Sequence, residues 1–216
     1  MLGLTCMMLA SCSSGDDYEV NAVTVAKGFF SKNKKPAQPD QQQLAASVQA
    51  AMNATDAPLI LVAISGRNVV SVMQKIETNG PYDTYGTSDR RSITLKRGIL
   101  TASRGLGEDI MSSDVAPVLS LVTNRRAGSA QRVHRYLDGE NVIVPLEATC
   151  TVRPGGRVRV VAGDLNREAI AVTEDCRAQT TEFQNSYQVD VASGRILQSR
   201  QWISPMNGYI VIQSLR

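Results

Sequence analysis

Three sets of residues in this chain have types and spacings that could do chemistry. The first is Cys12, which closes Leu9-Ala10-Ser11-Cys12 after a short apolar run. A branched apolar residue, two small residues and a cysteine is the order that lipoprotein signal peptidase cleaves. The small side chains suit an extended segment in a narrow cleft, and the thiol forms the thioether that carries diacylglycerol. The apolar run falls far short of the roughly 20 residues of a spanning helix, and Met1 stands next to it with no positive segment between. The second set is Cys150 and Cys176. With Cys6 in the signal and Cys12 lipidated, these two of the four cysteines remain, and in an oxidising compartment they are expected to form a disulfide; two buried free thiols are the alternative. A metal site is disfavoured, because neither belongs to a CxxC and the chain has a single histidine.

The third set is ionisable. His134 is the only side chain whose ordinary pKa lies near neutrality. A Ser-His-Asp site also needs a positioned nucleophile, yet there is no GxSxG and Ser65 precedes a simple turn, so a structural or exposed role is favoured. Glu108, Asp109 and Asp114 could supply two carboxylates for sugar hydrolysis, although capping and solvation account for them more cheaply. Gly105-Leu106-Gly107 lacks the third glycine of a dinucleotide site and reads as a turn. Arg153, Arg157 and Arg159, with Arg125, Arg126, Arg132 and Arg135, could form a basic face for an acidic polysaccharide. Arg157 and Arg159 are two apart and share a strand face opposite Val158 and Val160; an ordinary solvent-facing strand is the favoured reading. The net charge of +3 is too small to argue for nucleic acid.

The elements that must position these residues are mostly strands. Residues 13–19 read as a polar tether, residues 21–30 as a short helix and residues 31–40 as a basic, proline-broken loop. Asp40 can cap a helix over residues 41–52, in which Leu44, Val48 and Met52 share one face. A hairpin of two long strands follows over residues 57–76, then a tyrosine- and glycine-bearing excursion over residues 82–91. The most patterned stretch is residues 96–114: a strand, a turn with Gly105 and Gly107 at positive φ, and Ser112, Ser113 and Asp114 as candidate N-caps of a helix over residues 115–122 with Pro117 in its first turn. Beyond it, strands at spacings of roughly 8 to 12 residues are separated by turn-type residues, including Arg153-Pro154-Gly155-Gly156, as in an antiparallel meander. That turn would leave Cys150 and Cys176 on next-nearest strands, roughly 9 to 10 Å apart, whereas bridged Cα atoms lie about 4.4 to 6.8 Å apart. A bridge therefore predicts a sharply curled sheet, or a Cys176 folded over its edge.

Two long motifs, GILTASRGLGEDIMSSD and FQNSYQVDVASGRILQSRQWISPMNGYI, follow the cleavage motif in this order, with the cysteine pair between them. In them the chain resembles the YjbF/GfcB-type lipoproteins linked to group 4 capsule and exopolysaccharide operons, from whose usual aromatic it departs at Gln188. The resemblance implies an accessory to polysaccharide production or secretion with envelope-protein partners, and it brings no catalytic residues. The expected organisation is a signal peptide (1–11), a lipidated tether (12–19) and one domain (20–216). The expected fold is mainly β, a curved, half-barrel-like antiparallel meander with a few short helices packed on it. Ser13 after the acylated cysteine predicts the periplasmic face of the outer membrane, by the sorting rule of Gram-negative lipoproteins as a class. No cofactor, metal or catalytic residue is expected, and the membrane is reached through the N-terminal lipid. Contact with a partner or a glycan is expected at Gly105, Gly107, Glu108, Asp109, Arg157 and Arg159. A polysaccharide-binding module and a polysaccharide-modifying enzyme are the alternatives.

Overall fold

The computed structural model describes residues 19–21, 41–67 and 69–216. The signal peptide, Cys12, the tether up to residue 18, most of the helix expected over residues 21–30, the basic loop and Asp40 lie outside the described residues. In chain order the elements are β1 (Glu19–Asn21), α1 (Gln41–Ala54), β2 (Leu59–Ile64), β3 (Val69–Asn79), β4 (Tyr82–Gly86), β5 (Ser92–Lys96), β6 (Ile99–Arg104), β7 (Ser112–Asp114), α2 (Ala116–Thr123), β8 (Gly128–Leu137), β9 (Ile143–Ala162), β10 (Leu165–Ala178), β11 (Glu182–Asp190), β12 (Ile196–Ser204) and β13 (Gly208–Ser214).

Twelve strands form one antiparallel sheet in the order β6-β5-β4-β3-β2-β13-β12-β11-β10-β9-β8-β7. The C-terminal strand β13 lies between β2 and β12 and so joins an early meander to a late one. The two ends of this order, β6 and β7, are consecutive in the chain. The segment between them draws the edges together: Ser103 N–H donates to Ile110 O (3.0 Å) and Met111 N–H to Arg135 O (2.8 Å). The curved meander expected from the sequence thus curls into a nearly closed barrel, whose free edges shrink to this seam.

The apolar pattern explains the layers. All six residues of β2 are buried, because the strand is covered on both sides. Ile60, Val62 and Ile64 join one interior cluster, while Leu59 and Leu61 pack beneath Leu44, Val48, Ala51 and Met52 of α1. Helix α2 buries Val118, Leu119 and Val122 in a second cluster with Cys150, Val152, Phe183 and Trp202.

Four local expectations are corrected. Arg153-Pro154-Gly155-Gly156 is no turn: β9 runs through it, and the register with β10 moves from Val172↔Pro154 to Ile170↔Arg157. One extra residue is absorbed there as a bulge. The chain therefore has one strand fewer between the cysteines, so Cys150 faces Cys176 directly on the adjacent strand, with Cα atoms 4.0 Å apart, and the disulfide forms with neither residue displaced. Ser112, Ser113 and Asp114 form β7, paired with Arg135, His134 and Val133, and the residue before α2 is Val115, without a side-chain cap. A side-chain cap contributes about 1 kcal/mol, less than the pairing that covers the edge of β8. Tyr82–Gly86 is a sheet strand rather than an excursion, and Glu19 and Asn21 pair in parallel with β9 instead of ending a tether and opening a helix.

Candidate functional site

The turn between β6 and β7 holds four of the predicted contact residues. Gly105 (φ +77°) and Gly107 (φ +66°) take the left-handed conformation expected of them, and Glu108 joins them at φ +39°. The Asp109 carboxylate accepts the Ser103 hydroxyl (2.6 Å) and the N–H groups of Gly105 (2.8 Å) and Leu106 (3.1 Å). Glu108 Oε2 accepts the Met206 N–H at 2.9 Å. Asn207, in the β12–β13 turn, donates Nδ2 to Gly107 O and receives Arg67 Nε at 3.0 Å. Both acids are thus committed to backbone donors, and what they build is a clasp that ties the barrel seam to two other turns. Asp114, the third candidate acid, is exposed in β7 with its carboxylate 3.5 Å from Ala116 N, a backbone contact outside the clasp.

The arginines are not gathered on one face. Arg157 pairs with Glu168 (3.2 Å), Arg159 Nε donates to Asn166 (2.8 Å), and Arg153 pairs with Asp175, all across β9 and β10. This ribbon is of mixed sign, and exposed pairs of this kind contribute about 0.2–1 kcal/mol each. Arg125 donates to the carbonyls of Asp190 and Val191, and Arg132 points into the barrel.

Arg132 belongs to a buried polar group that sequence reasoning missed. Its Nη1 contacts both oxygens of Glu174 at 2.9 and 2.7 Å; Tyr187 donates its hydroxyl (2.5 Å) and Asn185 its amide (2.8 Å) to the same carboxylate. Arg132 and Glu174 are 1% and 0% exposed, so the charges survive burial only as a pair. Burial and the neighbouring carboxylate push the Tyr187 phenol far up. Burial works against the Arg132 charge, and Glu174 and Tyr187 together more than offset it. The visible clue was strand parity: Glu174 stands two residues before Cys176 and shares its inward face.

His134 lies nearby, with Nδ1 2.6 Å from Ser113 Oγ and its ring among Tyr136, Phe183 and Trp202. Burial, and secondarily the Arg132 charge, hold its pKa well below the usual range, so the ring is neutral. Its Nε2 has no hydrogen-bond partner, and Glu174 is spent on Arg132, so the Ser113–His134 pair has no acid to orient it as a triad would. Cys150, Glu174 and Cys176 place ligand-type atoms within 4.8 Å of one another, but the two sulfurs are bonded together.

The family model described as group 4 capsule polysaccharide lipoprotein gfcB, YjbF, matches residues 23–215. No curated protein matches the chain. Among solved structures, the crystal structure of the hypothetical lipoprotein YmcC from Escherichia coli K12 superposes with a TM-score of 0.68 at 13% sequence identity, covering 85% of this chain and 98% of that one. At that identity the likeness concerns the fold.

Proposed function

The chain belongs to the group 4 capsule polysaccharide lipoprotein family, and from that premise we propose that it is a non-enzymatic accessory of capsule or exopolysaccharide secretion, held by a lipid on Cys12 at the periplasmic face of the outer membrane. The observation that carries the non-enzymatic reading is the commitment of the available acids and bases. Glu108 and Asp109 fasten the seam, Glu174 neutralises Arg132, and His134 is sealed among aromatic rings.

The accessory acts by docking an envelope protein through the β8–β9 hairpin. Its turn is ordered by Asp138, whose carboxylate accepts the N–H groups of Glu140 and Val142 at 2.9 Å. That order presents Leu137, Val142, Ile143 and Val144 to solvent, with Ile143 59% exposed. Asp138, Glu140 and Glu147 are the only charged residues over 137–147, which suits an apolar pocket with a basic rim and opposes an anionic bilayer. Strand β1, on the N-terminal side of the described chain, pairs with β9 at Arg159, roughly 50 Å of strand from the exposed Ile143.

Capture of partners by the lipidated protein from its own envelope tests this reading. Ile143→Asp with Val144→Asp is expected to lose the captured envelope protein while the fold is retained, and Cys12→Ser is expected to leave the outer-membrane fraction. Cleavage of the exopolysaccharide by the purified protein, or capture indifferent to the hairpin, would overturn it.

A further inference from the structure

One cavity in the barrel is unused by the seam, the buried ion pair or the hairpin. It measures about 220 Å³ and opens where the β5–β6 turn meets the start of β12. Its lining mixes the aliphatic side chains of Ile60, Leu95 and Ile212 with the hydroxyl-bearing Tyr85, Ser199 and Ser214, Ser199 being paired with Ile212 and Ser214 with Ile60 on neighbouring strands. Two arginines stand at its mouth, Arg97 from the β5–β6 turn and Arg195 from the β11–β12 turn. Both are exposed, and among the described residues neither forms an ion pair. The one acid in the lining, Asp83, is already held by Lys75 (3.5 Å) and by the Thr78 hydroxyl (2.7 Å).

The backbone under Arg97 is the second observation. Lys96 pairs with Ile99, which leaves a two-residue turn with Arg97 at φ +49° and Gly98 at φ +93°. Turns with two left-handed residues favour Asn-Gly, because a Cβ is strained at positive φ and asparagine relieves that best by bonding its own backbone. Here a guanidinium occupies that strained position at the cavity mouth. The turn is also held in place before any ligand arrives. Gly98 O accepts Gln201 Nε2 (3.1 Å), Arg97 N–H donates to Pro81 O (3.3 Å), and a Cβ on Gly98 would lie 2.8 Å from Ile196 Cβ. On the other side, Gly194 (φ +71°) is buried, and a Cβ there would lie 3.0 Å from Thr123 O. Both arginines therefore spring from pinned turns.

We propose that this cavity binds one carboxylate-bearing sugar ring, a uronic acid unit of an acidic polysaccharide, with its carboxylate between Arg97 and Arg195. The assignment rests on the polysaccharide role proposed above and names the ligand class for it. The volume lies below the roughly 300–1,000 Å³ of sites for drug-sized ligands, which suits a single ring. A pyranose carries apolar C–H faces and hydroxyls together, which matches a lining where Ile60 and Ile212 alternate with the hydroxyls of Ser214 and Ser199. A carboxylate suits the planar donor fork of arginine.

The test is calorimetric titration of the full lipidated chain in detergent with glucuronate, glucose and inorganic phosphate in separate runs. Glucuronate is expected to saturate in the millimolar range, with glucose weaker by about tenfold or more, the equivalent of one charge-assisted hydrogen bond. Arg195→Gln and Arg97→Asn should each weaken glucuronate by about the same factor, while Arg97→Asn, which suits the turn better, leaves Tm unchanged or higher. Absence of glucuronate saturation, or affinity unmoved by both substitutions, overturns the proposal; phosphate binding as tightly as glucuronate overturns the sugar assignment. If glucuronate fails while hairpin-dependent capture of the envelope protein persists, this inference falls alone. If capture fails while glucuronate binds, the docking reading falls instead.

Discussion

Replacing Arg132 by methionine while Glu174 stays in place would leave a carboxylate in a sealed interior with only the neutral donors of Tyr187 and Asn185. At about 4 Å between charge centres and an effective dielectric near 20, the lost attraction is about 4 kcal/mol. Breaking one side of a buried pair costs about 3–5 kcal/mol in measured cases, so the two routes agree. Glu174→Gln keeps the shape and strands the guanidinium instead, at a similar cost. The double variant differs, because the amide replacing the Glu174 carboxylate would still accept from Tyr187 and Asn185 and no charge remains; its loss should be only about 1–2 kcal/mol. The cycle therefore predicts a coupling of several kcal/mol, and each single variant should lower Tm by roughly 6–20 °C for a chain of this size. Urea unfolding of the oxidised protein, followed by circular dichroism, measures all four corners. Single losses under about 1 kcal/mol, or a coupling near zero, would show that water reaches the pair and refute the sealed interior on which the non-enzymatic reading leans.

Three further outcomes are expected. Replacing Cys150 and Cys176 together by alanine should cost about 3.5 kcal/mol on a chain-entropy account for their separation of 26 residues, measured as a shift in urea midpoint. Because the folded His134 pKa lies well below its unfolded value of 6.5, the unfolded state binds more protons between the two values. Stability should be full above about pH 6.5 and fall on acidification from there, by up to about 1.4 kcal/mol per pH unit, a slope that His134→Gln removes in urea titrations across pH. Gly107→Ala meets both a left-handed backbone and the Arg67 guanidinium, whose Nη2 the new Cβ would overlap, whereas Gly80→Ala has the strained φ with nothing within 4 Å. The Gly80 variant should lose about 1 kcal/mol and the Gly107 variant clearly more, and equal losses in thermal melts would remove the clasp from the account of the seam.

Local chemistry made much of this fold legible. The uninterrupted apolar run of β2 read as a strand because nothing else buries both faces of so short a segment, and Leu44, Val48 and Met52 marked the buried side of α1. The paired cysteines were legible from their number and compartment alone. Long-range pairing overrode local chemistry elsewhere. Pro154-Gly155-Gly156 carries turn residues, yet β10 offers a partner on both sides of it, so the chain bulges and continues. Ser112, Ser113 and Asp114 carry capping chemistry, yet the edge of β8 recruits their backbone and Ser113 turns to His134.

Burial of the polar face was the hardest feature to read. Parity put Arg132 and His134 on one side of β8, and Val133 on the other, without saying which side is inside. In an open half-barrel the charged side would face solvent; closure at the seam makes it the interior, and Arg132 then requires Glu174. Residues 96–114 decide that closure. Their glycines and acids, the best candidates for a functional loop, bring β6 to β7 and so convert an exposed basic strand face into a buried ion pair. Within the stretch Arg97 faces solvent without an ion pair, in a turn where asparagine would fit more easily, and it is there, rather than at Glu108 or Asp109, that recognition of a ligand is expected.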